Sequence, residues 1–203
     1  MIQATGVILA GGKSIRMGTD KAFLKVGRQN MIEHIAGELK KVFSEVLISG
    51  GDPETGRRLG LRVIADLIEG NVPLCGVHAA LHAALHEKIL AVACDMPFIT
   101  AKLACFMIRQ VEGYDVAVPS HGIYVQPLFA AYNRSCLPVI EKSLSEARYK
   151  VSGLYSLLRT NYVNMESLCP DIDIETVFYN VNTPVDLHKA REMADKNGER
   201  RES

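Results

Sequence analysis

The chain has 203 residues, 48% of them hydrophobic, which suits one globular domain with a substantial core. Its 23 basic and 23 acidic residues balance to zero net charge. That excludes the broad basic footprint of a nucleic-acid binder and any polybasic membrane-surface signal, while leaving room for a local cationic site.

Met1-Ile2-Gln3 runs straight into a strand-like segment with no signal-peptide pattern. Gly6 to Ala10 is continuously apolar, as a strand covered on both faces would be. A glycine loop follows, and then Met31, Ile32, Ile35, Leu39 and Val42 recur at helical spacing. Val46 to Ile48 reads as a second strand, ended by Ser49-Gly50-Gly51-Asp52-Pro53, and the basic pair Arg57-Arg58 reads as part of a short polar loop. Leu61 to Ala65 is a third strand, and Val77, Leu81, Ala84 and Leu85 mark one face of a helix. Ile89 to Ala93 is another buried-type strand, Lys102 to Val111 a helix, and Asp115 to Pro119 a strand. Leu128 to Ala131 continues the alternation, followed by a helix over Cys136 to Leu144. After a variable middle come a strand at Val177 to Val181 and a last helix from Pro184 to Asp195, with Thr183 as cap and proline at the first helical position. Alternating strands and helices predict an α/β fold: a mostly parallel sheet with helices on both faces, as one domain over 1–196 with a charged tail at 197–203. The longest apolar runs fall far short of the ~20 residues of a membrane-spanning helix. Five cysteines, an odd number without a C-x-x-C pair, predict free thiols and a cytoplasmic location.

In parallel sheets of this kind ligands bind outside the carboxyl ends of the strands. Segments 10–21, 49–52 and 94–97 all follow strands there. The first contains Gly12-Lys13-Ser14, the end of a phosphate-loop signature, but the required earlier glycine falls at Val7, so the spacing fails. The dinucleotide pattern G-x-G-x-x-G is also absent. The residue chemistry still suits an anion. Glycines admit close backbone approach, successive N–H groups form a nest, Arg16 can grip phosphate oxygens in pairs, and Lys21 supplies a mobile charge. In Cys94-Asp95-Met96-Pro97 a carboxylate stands just past a buried strand. Asp95 suits Mg²⁺, which takes one or two carboxylates plus substrate phosphates; a turn or helix-cap aspartate is the alternative.

These stretches together resemble the molybdenum cofactor guanylyltransferases, within the wider nucleotidyltransferase group. Leu9-Ala-Gly-Gly-Lys-Ser-Ile-Arg-Met-Gly-Thr-Asp-Lys21 looks like the family signature. Val63-Ile-Ala-Asp66 is similar to its strand ending in aspartate, and Pro73-Leu-Cys-Gly76 to its P-L-x-G loop. Cys94-Asp-Met-Pro97 resembles its metal turn, and Asn180-Val-Asn-Thr-Pro184 its closing N-x-N-T-P. The resemblance implies a Rossmann-like three-layer α/β/α fold. It implies that Leu9, Ala10, Gly11 and Gly12 lie against the nucleotide, that Lys21 and Arg16 act on its phosphates, that Asp66 meets the nucleoside and that Asp95 binds Mg²⁺ and nucleotide. Ser49 is an implied nucleotide contact as well, a hydrogen-bonding group of shorter reach where family members carry asparagine, and Val72 stands where a glycine precedes the P-L-x-G loop. Asn180 and Asn182 become contacts to the second substrate or parts of an architectural turn.

The implied reaction transfers GMP from GTP to the terminal phosphate of molybdenum-loaded molybdopterin, with release of pyrophosphate. Arg16, Lys21 and Asp95 form the implied catalytic set, Mg²⁺ the implied cofactor, and GTP and molybdopterin the substrates. Transient contact with molybdoenzymes or their chaperones is implied as well, with no nucleic-acid or membrane partner. The alternatives are a related cytidylyltransferase, a sugar-phosphate nucleotidyltransferase, or a non-catalytic nucleotide-binding adaptor on the same fold. His78, His82 and His86 recur every four residues; without an H-E-x-x-H pattern they read as the solvent or interface flank of their helix.

Overall fold

The structure is a computed structural model that describes residues 1–11, 23–70 and 72–202. Gly12, Lys13, Arg16 and Lys21 of the signature lie outside the described residues. In chain order the first half comprises β1 (Ile2–Leu9), a small hairpin of β2 (Lys25–Val26) and β3 (Gln29–Asn30), α1 (Met31–Lys40), β4 (Phe43–Ser49), α2 (Pro53–Leu59), β5 (Arg62–Ile64), α3 (Pro73–Ala83) and β6 (Lys88–Ala93). The second half comprises α4 (Ala101–Arg109), β7 (Val116–His121), β8 (Tyr124–Val125), β9 (Phe129–Asn133), α5 (Leu137–Ser145), β10 (Thr160–Asn164), α6 (Met165–Leu168), α7 (Ile174–Val177) and α8 (Pro184–Glu202).

The main sheet runs β10-β7-β9-β6-β1-β4-β5, with β8 paired to β7. β1 lies parallel to both β4 and β6, and β4 to β5. β9 is antiparallel to both of its neighbours and the short β8 to β7, so the sheet is mostly parallel with two reversed strands. Alternate side chains of each strand enter opposite layers. Ile8, Ile48, Leu90 and Val92 pack with Ile32, Ile35 and Leu39 of α1 and Leu103, Met107 and Ile108 of α4. Val7, Leu9, Leu47, Ile89 and Ala91 pack with Leu74, Val77 and Leu81 of α3 and Ile140 and Leu144 of α5. Both faces are thus covered, which is why these strands read as unbroken apolar runs.

Three expectations are corrected. Val177 to Val181 is not a strand: α7 ends at Val177, and the following chain runs irregularly toward α8. Arg57 and Arg58 lie in α2 rather than in a loop. Asp52 caps that helix by accepting from the Glu54 N–H, Pro53 opens it, and Gly60 closes it in the left-handed conformation. β10, within the variable middle, completes the sheet beside β7. The last helix also runs further than the periodicity predicts, through the charged segment to Glu202.

Asp115 staples the far side of the sheet. Its carboxylate accepts from the Arg159 backbone N–H, from Arg159 Nε and Nη2 at 3.2 and 2.9 Å, and from Ser135 Oγ at 2.7 Å. Arg159, with Ser135, holds the Asp115 carboxyl at about 2, below its usual 3.8. A lowered carboxyl pKa contributes stability above the unfolded value that is lost as pH falls through the folded one. Arg159 is exposed, so solvent screens the pair, and Asp115→Asn is expected to cost about 1–2 kcal/mol at neutral pH. Urea unfolding should show the gap between variant and wild type closing between about pH 4 and pH 2. A constant gap would remove the charge from the account.

Candidate active site at the strand ends

Leu9 is in register with both Ser49 and Ala93, and Ser49 with Ile64. Four parallel strands therefore end on one level. The chain leaves β1 through α1 to its neighbour β4 on one side, but enters β6 on the other side through α3, which covers the opposite face. The crevice between the ends of β1 and β6 is thus a topological switch point, where open α/β sheets take their ligands. Ala10 and Gly11 form one wall and Cys94 and Asp95 the other. The Cys94 N–H donates to the Leu9 carbonyl at 3.2 Å, and the Ala10 N–H to the Ser49 carbonyl at 2.9 Å.

The structure brings together Leu9, Ala10, Gly11, Ser49, Asp95, Asn180 and Asn182, while Asp66 stands at the outer end of the same edge beyond β5. The link to Asn180 and Asn182 is a backbone one: the Val181 N–H donates to the Asp95 carbonyl at 2.9 Å. Asn180 Nδ2 donates to the Phe178 carbonyl at 3.0 Å. The Asn182 and Thr183 N–H groups donate to Asp186, and Thr183 Oγ1 accepts from the Asp186 N–H, which is a reciprocal cap at the start of α8. These contacts are those of an architectural turn, one that delivers two asparagines beside the metal-type turn.

The Ser49 side chain does not face the crevice. It is 2% exposed, and its hydroxyl donates to the Gly76 carbonyl at 3.1 Å in the first turns of α3. A Cβ on Gly76 would stand 2.9 Å from Ser49 Oγ and 3.2 Å from Leu9 Cδ2. Ser49 and Gly76 together seat α3 directly on the strand ends. This accounts for the glycine of the P-L-x-G loop, while Val72 serves as the extended residue before the helix-opening proline.

Sequence reasoning missed the role of Gly50. It takes φ +75°, its N–H donates to the Ile64 carbonyl, and a Cβ there would meet Gly11 Cα at 2.7 Å and Gly11 N at 2.8 Å. The β4 loop thus presses backbone against backbone on the β1 loop. The Gly50-Gly51 pair is the signal in the chain that could have revealed it, since paired glycines after a strand often mark a close backbone approach.

Asp66 and Asp95 are both half-buried. Burial pushes the Asp66 carboxyl above its usual value, and His78 opposes that shift. Of the solvent or interface flank expected for the histidines, His78 takes the interface: it is 4% exposed, lying between α3 and α5. His82 is exposed as expected, and His86 lies past the helix end with Nε2 2.8 Å from Ser44 Oγ. The five cysteines are free thiols. Among the described residues no helix is long and apolar enough to cross a membrane.

Residues 6–165 match the family model described as the MobA-like NTP transferase domain. The chain is 60% identical over 195 residues, covering 96% of itself and 95% of its relative, to a probable molybdenum cofactor guanylyltransferase of Pelotomaculum thermopropionicum. It is 37% identical to a probable molybdenum cofactor guanylyltransferase of Carboxydothermus hydrogenoformans, covering 93% of this chain and 95% of the relative. Among solved structures it resembles molybdopterin-guanine dinucleotide biosynthesis protein A of Archaeoglobus fulgidus, with a TM-score of 0.82 and 26% identity over 95% of this chain and 99% of that one. With the switch-point crevice between β1 and β6 and the match along most of its length, the chain belongs to the molybdenum cofactor guanylyltransferase family of MobA-like nucleotidyltransferases.

Proposed function

We propose that this protein transfers GMP from GTP to the terminal phosphate of molybdenum-loaded molybdopterin. An acceptor phosphate oxygen forms a bond to the α-phosphorus, the bond from that phosphorus to the bridging oxygen breaks, and the electron pair leaves with pyrophosphate. The observation that carries the reading is the crevice where the Ala10-Gly11 loop and the Cys94-Asp95 turn are tied by the Cys94-to-Leu9 hydrogen bond. The names of the 60% and 37% identical relatives support the substrate pair.

By their place in the signature Leu9, Ala10, Gly11 and Gly12 lie against the nucleotide; the Ala10 N–H is engaged with the Ser49 carbonyl, so Ala10 serves as contact surface rather than as a phosphate donor. Arg16 and Lys21, by their place in the signature, neutralise the charge that grows on the departing pyrophosphate. The acceptor is already an oxyanion, so no strong general base is required. Asp66 receives the nucleoside. Asn180 and Asn182, held beside Asp95 by the Val181 bond, face the acceptor side. Ser49 acts through Gly76 as a positioning residue. Asp95 offers one hard carboxylate at the crevice, a donor set that fits Mg²⁺ held jointly with nucleotide phosphates. When bound, the ion supplies charge neutralisation and fixes phosphate geometry. The free cysteines agree with a reducing cytoplasm as the setting, where molybdoenzymes or their chaperones receive the product by transient contact.

The test is pyrophosphate release with Mg²⁺ and each of GTP, CTP, ATP and UTP, with and without molybdenum-loaded molybdopterin. Release is expected only with GTP and the pterin together. Release with CTP instead would keep the mechanism and overturn the base. GTP binding without release in any tube would make the protein a nucleotide-binding adaptor.

A further inference from the structure

We infer that His78, His82 and Glu141 form a binding site for a zinc-type transition-metal ion that clamps α3 to α5, apart from the crevice. His78 and His82 are four residues apart and share one face of α3. Glu141 comes from α5. One ligand atom from each lies within 4.8 Å of the others, and among the described residues this is the trio of metal-ligating side chains so disposed. Glu141 Oε1 stands 3.1 Å from His82 Nε2 and 3.6 Å from His78 Nε2. Ligand atoms around a tetrahedral zinc ion with bonds of about 2.0–2.1 Å stand roughly 3.3 Å apart, so these two separations bracket the needed value.

The second observation is the state of His78. The residue is 4% exposed, and Nε2, the nitrogen that faces Glu141, stands 3.6 Å from its carboxylate, beyond hydrogen-bond distance. A buried imidazole ordinarily finds partners for its nitrogens. The two rings meet edge to face with centroids 4.7 Å apart, and the Nε2 of each lies near the same Glu141 oxygen. Two imidazoles and a carboxylate suit zinc rather than magnesium, which takes oxygen ligands and keeps its waters. A fourth position remains for water on the exposed side, where His82 and Glu141 are 41% and 48% exposed.

Such a clamp acts on the fold of the site rather than on the chemistry. α3 carries Gly76, which is seated on Ser49 and Leu9. Fixing α3 to α5 holds that seat. The ion binds the native chain and raises its unfolding temperature by mass action.

The experiment uses the full chain, stripped with a chelator and held in excess Mg²⁺ so that carboxylate sites for hard ions are filled. Zn²⁺ affinity is measured by competition with a chromophoric chelator, and Co²⁺ is added separately as a spectroscopic probe. One Zn²⁺ per chain is expected, with the intense visible bands of tetrahedral Co²⁺. His82→Ala and Glu141→Gln change exposed residues and should fold normally and bind GTP as wild type does. Each should weaken Zn²⁺ by at least ~100-fold, beyond the ~10–100-fold typical of removing a supporting residue around a metal. Unchanged Zn²⁺ affinity in both variants, thiolate-to-Co²⁺ charge-transfer bands, or no Zn²⁺ uptake by wild type would each overturn the site. None of these outcomes depends on molybdopterin or on turnover.

Discussion

Gly50→Ala is expected to lower stability by about 3 kcal/mol and to weaken GTP binding with it. Two costs add. A residue with a side chain in the left-handed region is disfavoured by ~1–2 kcal/mol, and Gly50 sits at φ +75°. Its new Cβ would also stand 2.7 Å from Gly11 Cα and 2.8 Å from Gly11 N. Those neighbours are backbone atoms, so no side chain can rotate away. Overpacking of this kind costs ~1–3 kcal/mol. For a chain of this size the total corresponds to a fall of roughly 6–12 °C in Tm. Gly60→Ala is the internal control, because Gly60 has φ +61° but nothing within 4 Å of where the alanine methyl would stand. It should show the conformational cost alone. Equal losses for the two variants would mean that the contact between the β1 and β4 loops carries no energy. The effect on GTP follows from the direction of the clash: relief requires Gly11 to move, and Gly11 lies against the nucleotide in the proposed function.

Asp95→Asn is expected to reduce pyrophosphate release by ~10²–10³-fold at saturating GTP, the scale for removing an electrostatic stabiliser of the transition state. The substitution is nearly isosteric. The Val181 N–H of the closing segment donates to the Asp95 carbonyl, a main-chain bond. Turnover should fall further than thermal stability, because this main-chain bond is one the substitution keeps. The Mg²⁺ concentration for half-maximal rate should rise in parallel, because an amide oxygen carries no charge for the ion. A variant with wild-type turnover and Mg²⁺ dependence would take Asp95 out of the metal role. A variant that unfolds early would instead make the carboxylate structural.

Much of the layout was legible in the chain. Gly6–Ala10, Val46–Ile48 and Ile89–Ala93 are runs of apolar residues bounded by glycine or charge, and strands buried on both faces need that composition. The position of Asp95 was legible, because a carboxylate two residues past such a strand stands at the carboxyl edge of the sheet, where open α/β folds take ligands. Pairing direction was less so. Phe129–Asn133 runs antiparallel to β6, yet its residues look like those of the parallel strands, since side-chain burial does not record strand direction. Val177–Val181 misled for a related reason. Val181 is fully buried and hydrogen-bonded, but to the turn at Asp95 rather than to a strand, and a periodicity argument cannot tell those partners apart.

By itself, then, the sequence determined the alternation of elements, the edge of the sheet where its candidate site residues gather, and the residues of the signature with their charges. These follow from local pattern and side-chain type. Only the tertiary structure decided that Ser49 turns inward to Gly76, that Gly50 abuts Gly11, and that His78 is buried opposite Glu141. Each of those facts is a meeting of atoms far apart in the chain. Such contacts are set by how helices seat on the sheet at close range, where a single Cβ decides what fits.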